Sequence, residues 1–408
     1  MSRIAFGTYR ISEHNPLHLQ ALKDALYAGV ELIDTSTNYL DGGAEKAIAL
    51  ALRELDETLC ENIKIVSKFG YIQGSNLQRH KQRAFEEVVE YTQECYHSIA
   101  KSFMHDQLTQ SLERLERENI DCYLVHNPEY YLFDAIKKGI QKDSRLDEIY
   151  NRLFKVFIGL EEEVQNGRIN SYGVSSNSFS LPNNSEEFLP YEDLLELAQK
   201  AADSLGIQKH NFTTIELPIN LLEQEGLKCA KWAKENGLRL LVNRPLNAQK
   251  EKLMYRLADY AESREYYHYL NEILELCDNE ILRPLFNLIE QLDDNKHKFG
   301  WIGDYEAFLF TQILPHIKNT LQKLEPQSQE ALLQAIELFL QEYKKMVSYE
   351  CAKHTKTALK EELKNSKGSM QEYALEFLLA KESIDYVLVG MRKSSYVYEM
   401  LEVENKSL

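Results

Sequence analysis

The sequence predicts an α/β protein of the (β/α)8 TIM-barrel class, with a large, mainly helical insertion between strand seven and helix seven. Three features predict it. Eight short, apolar, β-branched runs recur along the chain, amphipathic helical stretches separate them, and one interval, residues 249–367, is far longer than a barrel unit needs.

The runs are RIAFGTY (3–9), VELIDTS (30–36), IKIVSKF (63–69), DCYLVHN (121–127), INSYGVSS (169–176), TTIELPI (213–219), LRLLVNR (238–244) and DYVLVGM (385–391). Several are apolar at consecutive positions, which suits strands buried on both faces of a parallel sheet. Between them, PLHLQALKDALYAG (16–29) places apolar residues at helical spacing and stops at Gly29. The stretches 106–120, 191–206, 227–237 and 370–382 follow the same pattern. A doubly wound sheet is the rival fold. Its first βα turn would carry a glycine-rich phosphate loop, whereas the turn here reads GTYRISEHN.

This divides the chain into a barrel, 1–248 with 368–408, and a helical insertion, 249–367. The insertion is read as four helical stretches, beginning LMYRLADYAESREYYHYLNEILELC, and its run Tyr266-Tyr267-His268-Tyr269 as helix packing. A βα loop opens at the C-terminal face of a barrel, so a lid or an interaction subdomain is expected there.

Composition narrows the function classes. The formal charge of −17 and the scattered Lys and Arg residues disfavour a nucleic-acid partner. The six cysteines form no C-x-x-C pair and none stands near His at zinc-ligand spacing, so no metal is expected. The start, MSRIAFGTYR, lacks a signal-peptide core, and no run approaches a membrane span. A cytoplasmic protein with free thiols is the expectation.

Catalytic groups of a barrel come from the C-terminal ends of its strands. Those ends supply Asp34, Lys68 and His126, with Tyr39 in the loop after strand two. A charged residue ending an apolar strand is costly unless paired, and Asp34 and Lys68 on neighbouring strands are suited to pair. A tyrosine beside an ammonium is drawn toward its phenolate form and makes a tunable acid. Such a phenol can protonate a carbonyl oxygen as charge develops on it, with His126 sharing the proton or orienting the substrate. No side chain supplies a hydride, so that must come from a cofactor.

These residues, in LIDTSTNY, IVSKFG and YLVHNPE, resemble the catalytic tetrad of the aldo-keto reductases. SLERLERENIDCYLVH, GRINSYGVSSNSF and the closing segment MQEYALEFLLAKESIDYVLVGMRKSSYVYEML are similar to further segments of that family. The resemblance spans about 1–70, 105–130, 155–248 and 368–402, not the insertion. It implies an NADPH-dependent reductase, with NADH as the alternative cofactor, acting on a small-molecule aldehyde or ketone, and it admits a homo-oligomer. It further implies that Gly7, Thr8, Tyr9 and Asp34 line the nicotinamide end, and that Ser175, Ser176 and Asn177 meet the carboxamide. Glu216 stands where the family often has Gln for that same group. Pro245 and Leu246 match the loop near the pyrophosphate; Gly390, Arg392, Tyr396 and Glu399 match the adenosine end. Two departures stand out. Asn243-Arg244 replaces the aromatic that many members stack on the nicotinamide, and only Arg392 and Lys393 are near candidates for a 2'-phosphate. The large insertion and the missing stacking aromatic make a regulatory protein that binds the cofactor and turns over little the second expectation.

Overall fold

A computed structural model describes residues 2–324 and 326–407. Eight parallel strands close a barrel: β1 (Ile4–Gly7), β2 (Leu32–Asp34), β3 (Lys64–Phe69), β4 (Cys122–His126), β5 (Tyr172–Ser175), β6 (Phe212–Pro218), β7 (Arg239–Asn243) and β8 (Tyr386–Val389). They pair in sequence order, with β8 closing on β1 through Ala5 and Leu388.

Helices lie between consecutive strands as the pattern requires. Pro16–Tyr27 shows why. Asn15 accepts a hydrogen bond from the amide of Leu17, Pro16 opens the first turn, and Ala21, Leu22, Ala25 and Leu26 form the buried face. Gly29, in the left-handed region at φ 94°, turns the chain into β2.

The barrel interior is filled by Ala5, Leu32, Val66, Cys122, Leu124, Leu241 and Leu388. Strand side chains alternate with period two, so the inward face that holds Leu32, Val66, Leu124 and Leu241 also holds Asp34, Lys68, His126 and Asn243 one step further on. That alternation gathers the polar residues at one mouth. Inside the wall, a Cβ at Gly173 would stand 1.9 Å from the backbone oxygen of Thr214, so β5 and β6 meet only because that position has no side chain.

The chain forms two compact units. One runs to Pro245 and resumes at Leu375; the other is Leu246–Ala374. The second unit has its own core, in which Leu270, Ile273, Leu285, Ile289, Phe339 and Tyr343 are buried. Tyr266 is buried there too, its hydroxyl donating to Asp293 at 2.7 Å. The helix Ile302–Phe308 passes through a wider turn at Leu309–Ile313 before Leu314–Leu321. Pro315, which has no N–H to donate, stands in the first turn of that last helix, where a donor is not needed.

Two features depart from the sequence reading. The segment read as helical from Leu253 onward begins instead as a hairpin, Asn247–Lys250 against Leu253–Arg256, and helix starts only at Tyr266. Its turn holds Glu251 and Lys252 at φ 51° and 69°, so it lacks the Asn or Gly that marks such a turn. Between β3 and β4 lies a small antiparallel sheet of Tyr71–Ile72, Val89–Thr92 and Cys95–His97. Strands this short carry no readable alternation. Among the described residues no helix is long and apolar enough to cross a membrane.

Candidate active site

The site begins with backbone pairing. Gly7 pairs with Asp34, Asp34 with Val66, and His126 with Ser175, which in turn pairs with Glu216. The Thr8 amide and hydroxyl both donate to the Asp34 carbonyl at 2.9 Å, fixing the end of β2. Tyr39 follows in a tight turn where Leu40 and Asp41 are left-handed, at φ 50° and 55°. The turn is held by the Asp41 carboxylate, which accepts from the Ser75 amide at 3.0 Å and the Ser75 hydroxyl at 2.8 Å.

Lys68 is fully buried at the mouth. On the outer face of β3, Ser67 donates to the buried Glu45 at 2.6 Å, and Arg114 pairs with the same carboxylate at 2.7 Å, which holds the strand in place. The Lys68 Nζ donates to Asp34 Oδ1 and to the Thr35 carbonyl, the latter at 3.0 Å. It also stands 3.2 Å from Glu216 Oε2, an ion pair in which Oε2 takes no hydrogen bond. Glu216 is thus a neighbour of the ammonium, and its Oε1 accepts from Asn243 Nδ2 at 2.9 Å.

Two carboxylates and one ammonium out of water leave one negative charge unbalanced. Burial first, then Glu216, pushes the Asp34 carboxyl well above the usual range, with Lys68 opposing. Burial alone would lower Lys68, but Asp34 and Glu216 raise it more, so it stays charged.

The Lys68 ammonium lies 5.4 Å from the centre of the Tyr39 ring. Sequence reasoning expected it to draw the phenol toward ionisation. It does pull that way, but burial, the largest influence, together with Asp34 and Glu216 holds Tyr39 above its ordinary value. Tyr39 therefore keeps its proton at neutral pH.

His126 lies edge-on to Tyr39, ring centres 6.3 Å apart. Burial, then Lys68 and His97, keeps its imidazole neutral, well below the usual range. Ser36 has one hydroxyl proton and three acceptors around it: Asn38 Oδ1 at 2.7 Å, His126 Nδ1 at 3.1 Å and the Lys68 carbonyl at 3.3 Å. Giving that proton to Nδ1 leaves the imidazole proton on Nε2.

Sequence reasoning missed the support behind His126. His97 Nε2 stands 2.7 Å from the His126 carbonyl, and burial lowers His97 to about 4, so neutral Nε2–H donates. A Cβ at Gly70 would lie 2.5 Å from that carbonyl, which is why glycine follows Phe69. Tyr71 meets the His126 ring edge-on at 4.9 Å. No sequence signal marks His97, which sits in the unread hairpin.

Glu129 was missed as well, although it stands three residues after His126 in HNPE. It is buried, and it accepts from the Ser176 hydroxyl at 2.8 Å and the Asn177 amide at 3.0 Å. Burial raises it to about 7, against the hydrogen bonds that lower it. Ser176 and Asn177 are thus held by Glu129.

The Ser175 hydroxyl and Asn243 Oδ1 are buried without a hydrogen-bond partner, on either side of Glu216 at the barrel mouth. A donor and an acceptor left open there fit a primary carboxamide such as that of nicotinamide. Tyr9 is 63% exposed, its ring 5.1 Å from that of Tyr39. Gly390 follows β8 at the same end of the barrel. Arg392 stands before the helix Ser394–Ser407, and burial first, then Arg392, lowers His18; Tyr396 and Glu399 are in that helix. Pro245 ends the first stretch of the barrel unit and Leu246 opens the helical one. Among the described residues no group of three or more His, Cys, Asp or Glu could hold a metal ion.

A closed parallel barrel thus gathers Tyr39, the buried Lys68 and His126 at one mouth. The aldo/keto reductase family profile matches residues 3–408, and the chain belongs to that family. Among solved structures it resembles an aldo/keto reductase from Klebsiella pneumoniae in complex with NADP and acetate, at 14% identity and a TM-score of 0.48, covering 99% of this chain and 86% of that one. An aldo-keto reductase from Bacillus halodurans in its holo form gives 14% identity and a TM-score of 0.49, covering 100% and 90%. A glycerol dehydrogenase from Gluconobacter oxydans gives 16% and 0.47, covering 100% and 91%. No curated protein matches the chain.

Proposed function

We propose that this protein is a nicotinamide-dependent oxidoreductase that reduces an aldehyde or ketone to an alcohol, with Tyr39 as proton donor. The observation that carries the reading is a neutral Tyr39 set beside a buried, charged Lys68, with a neutral His126 at its edge. A nicotinamide cofactor held at the barrel mouth, NADPH or NADH, would supply the hydride that no side chain can. Ser175 and Asn243 would hold its carboxamide through the hydroxyl and the amide oxygen they leave open. Tyr39 gives its proton to the carbonyl oxygen as charge builds there, and the Lys68 ammonium stabilises the phenolate left behind. Asp34 anchors Lys68, and His126 orients the oxygen through Nε2–H when Ser36 donates to Nδ1.

A scaffold kept only for regulation has no need of a protonated phenol beside a buried lysine, so catalysis is favoured over the regulatory alternative. The choice of NADPH rests on family membership. Consumption of NADPH and NADH against a panel of aldehydes, ketones and quinones tests the reading. Turnover that disappears in Tyr39→Phe supports it; cofactor binding with no turnover on any carbonyl rejects it.

A further inference from the structure

We propose that Glu216 is a positioning residue of the proton donor: with Asp34 it clamps the Lys68 ammonium between two carboxylates and so limits how strongly Lys68 acts on Tyr39. This rests on reading Tyr39 as the proton donor.

The geometry is specific. Glu216 is 1% exposed and projects inward from β6, across the barrel mouth from Asp34 on β2. Its Oε2 is 3.2 Å from Lys68 Nζ, and its Oε1 is fixed by Asn243 at 2.9 Å. The Glu216 carboxylate is also close enough to Asp34 to raise it, after burial. Lys68 is therefore held from two sides, and Asn243 keeps Glu216 from swinging away.

The consequence is electrostatic. A lysine paired with one carboxylate forms a neutral unit whose near end is the ammonium. A second carboxylate makes the unit negative once Asp34 has ionised. The groups facing Tyr39 are the Tyr9 and His126 rings, the Lys68 ammonium, and the Asp34 and Glu216 carboxylates. Of these only Lys68 favours the phenolate, while Asp34 and Glu216 oppose it. Replacing Glu216 by the neutral isostere glutamine keeps an oxygen for Asn243 and removes one opposing charge. Tyr39 should then give up its proton more easily, its transition moving to lower pH.

The test is a titration of the cofactor-free protein carrying 13Cζ-tyrosine, followed by NMR, with the Tyr39 resonance assigned by its absence in Tyr39→Phe. The expected result is a Tyr39 transition that begins at lower pH in Glu216→Gln than in wild type, and returns toward wild type in Glu216→Asp. Coincident curves in wild type and Glu216→Gln, flat ones included, overturn the proposal, as does an upward displacement. The pH dependence of carbonyl reduction provides a second readout. The alkaline limb of kcat should move to lower pH in Glu216→Gln. A purely structural role for Glu216 would change stability or KM and leave that limb in place. Failure of the reductase reading is told apart by a wild type that turns over no carbonyl, since the NMR titration reads Glu216 without turnover.

Discussion

The Lys68 ammonium faces the Tyr39 ring from 5.4 Å, yet the phenol beside it keeps its proton. Burial outweighs the favourable charge, and the two carboxylates that neutralise the lysine add to it. The hydroxyl thus stays protonated next to a charged ammonium, the state that the proposed role of proton donor requires.

Replacing Tyr39 by phenylalanine removes the hydroxyl and leaves the ring. Carbonyl reduction should fall by roughly 100- to 10,000-fold, the range of general acid catalysis. Cofactor affinity, measured by fluorescence titration, should change little. Loss of both together would argue that Tyr39 is a binding residue.

Lys68→Met leaves Asp34 and Glu216 facing one another without a cation. Removing one partner of a buried ion pair costs roughly 3–5 kcal/mol. Urea unfolding at neutral pH should show a loss of that order. The loss should shrink at neutral pH when Glu216→Gln is added. A full loss that persists in the double variant would mean that packing of the lysine stem dominates.

Glu129 ties pH to stability. Its carboxyl is raised from 4.5 to about 7 in the folded protein. The folded state then binds a proton that the unfolded state has lost, so the contribution is complete below pH 4.5 and disappears as pH rises through about 7. The shift corresponds to about 3 kcal/mol. Glu129→Gln should lack this slope. Comparing wild type and variant at each pH cancels His97, whose lowered value of about 4 gives the opposite trend. Parallel stability curves would remove Glu129 from this role.

Gly173→Ala places a Cβ 1.9 Å from the Thr214 backbone oxygen. A backbone carbonyl held in a barrel wall cannot turn aside, so the cost should be about 3 kcal/mol or more. Thermal unfolding measures it. A near-neutral substitution would show that β5 and β6 can separate without consequence.

Much of the barrel was legible because its signals are local. Each strand announces itself as an apolar run, and period-two alternation carries the inward face from Leu32 to Asp34 and from Val66 to Lys68. The hairpin at Asn247–Arg256 was not legible, because Glu251 and Lys252 take left-handed conformations with no residue type to betray them. The sheet holding His97 was hidden by strands too short to show a pattern.

The sequence by itself determined the barrel, its inward-facing polar ends and the residue types at its mouth, since each follows from hydrophobic periodicity along a few neighbouring positions. Only the tertiary structure decided what those residues do to one another. Glu216 lies on a strand far along the chain from Lys68, and Glu129 reaches across to Ser176 and Asn177. The protonation states of Asp34, Tyr39 and His126 depend on burial and on charges brought together across the barrel mouth, and those are properties of distance in space rather than of order along the chain.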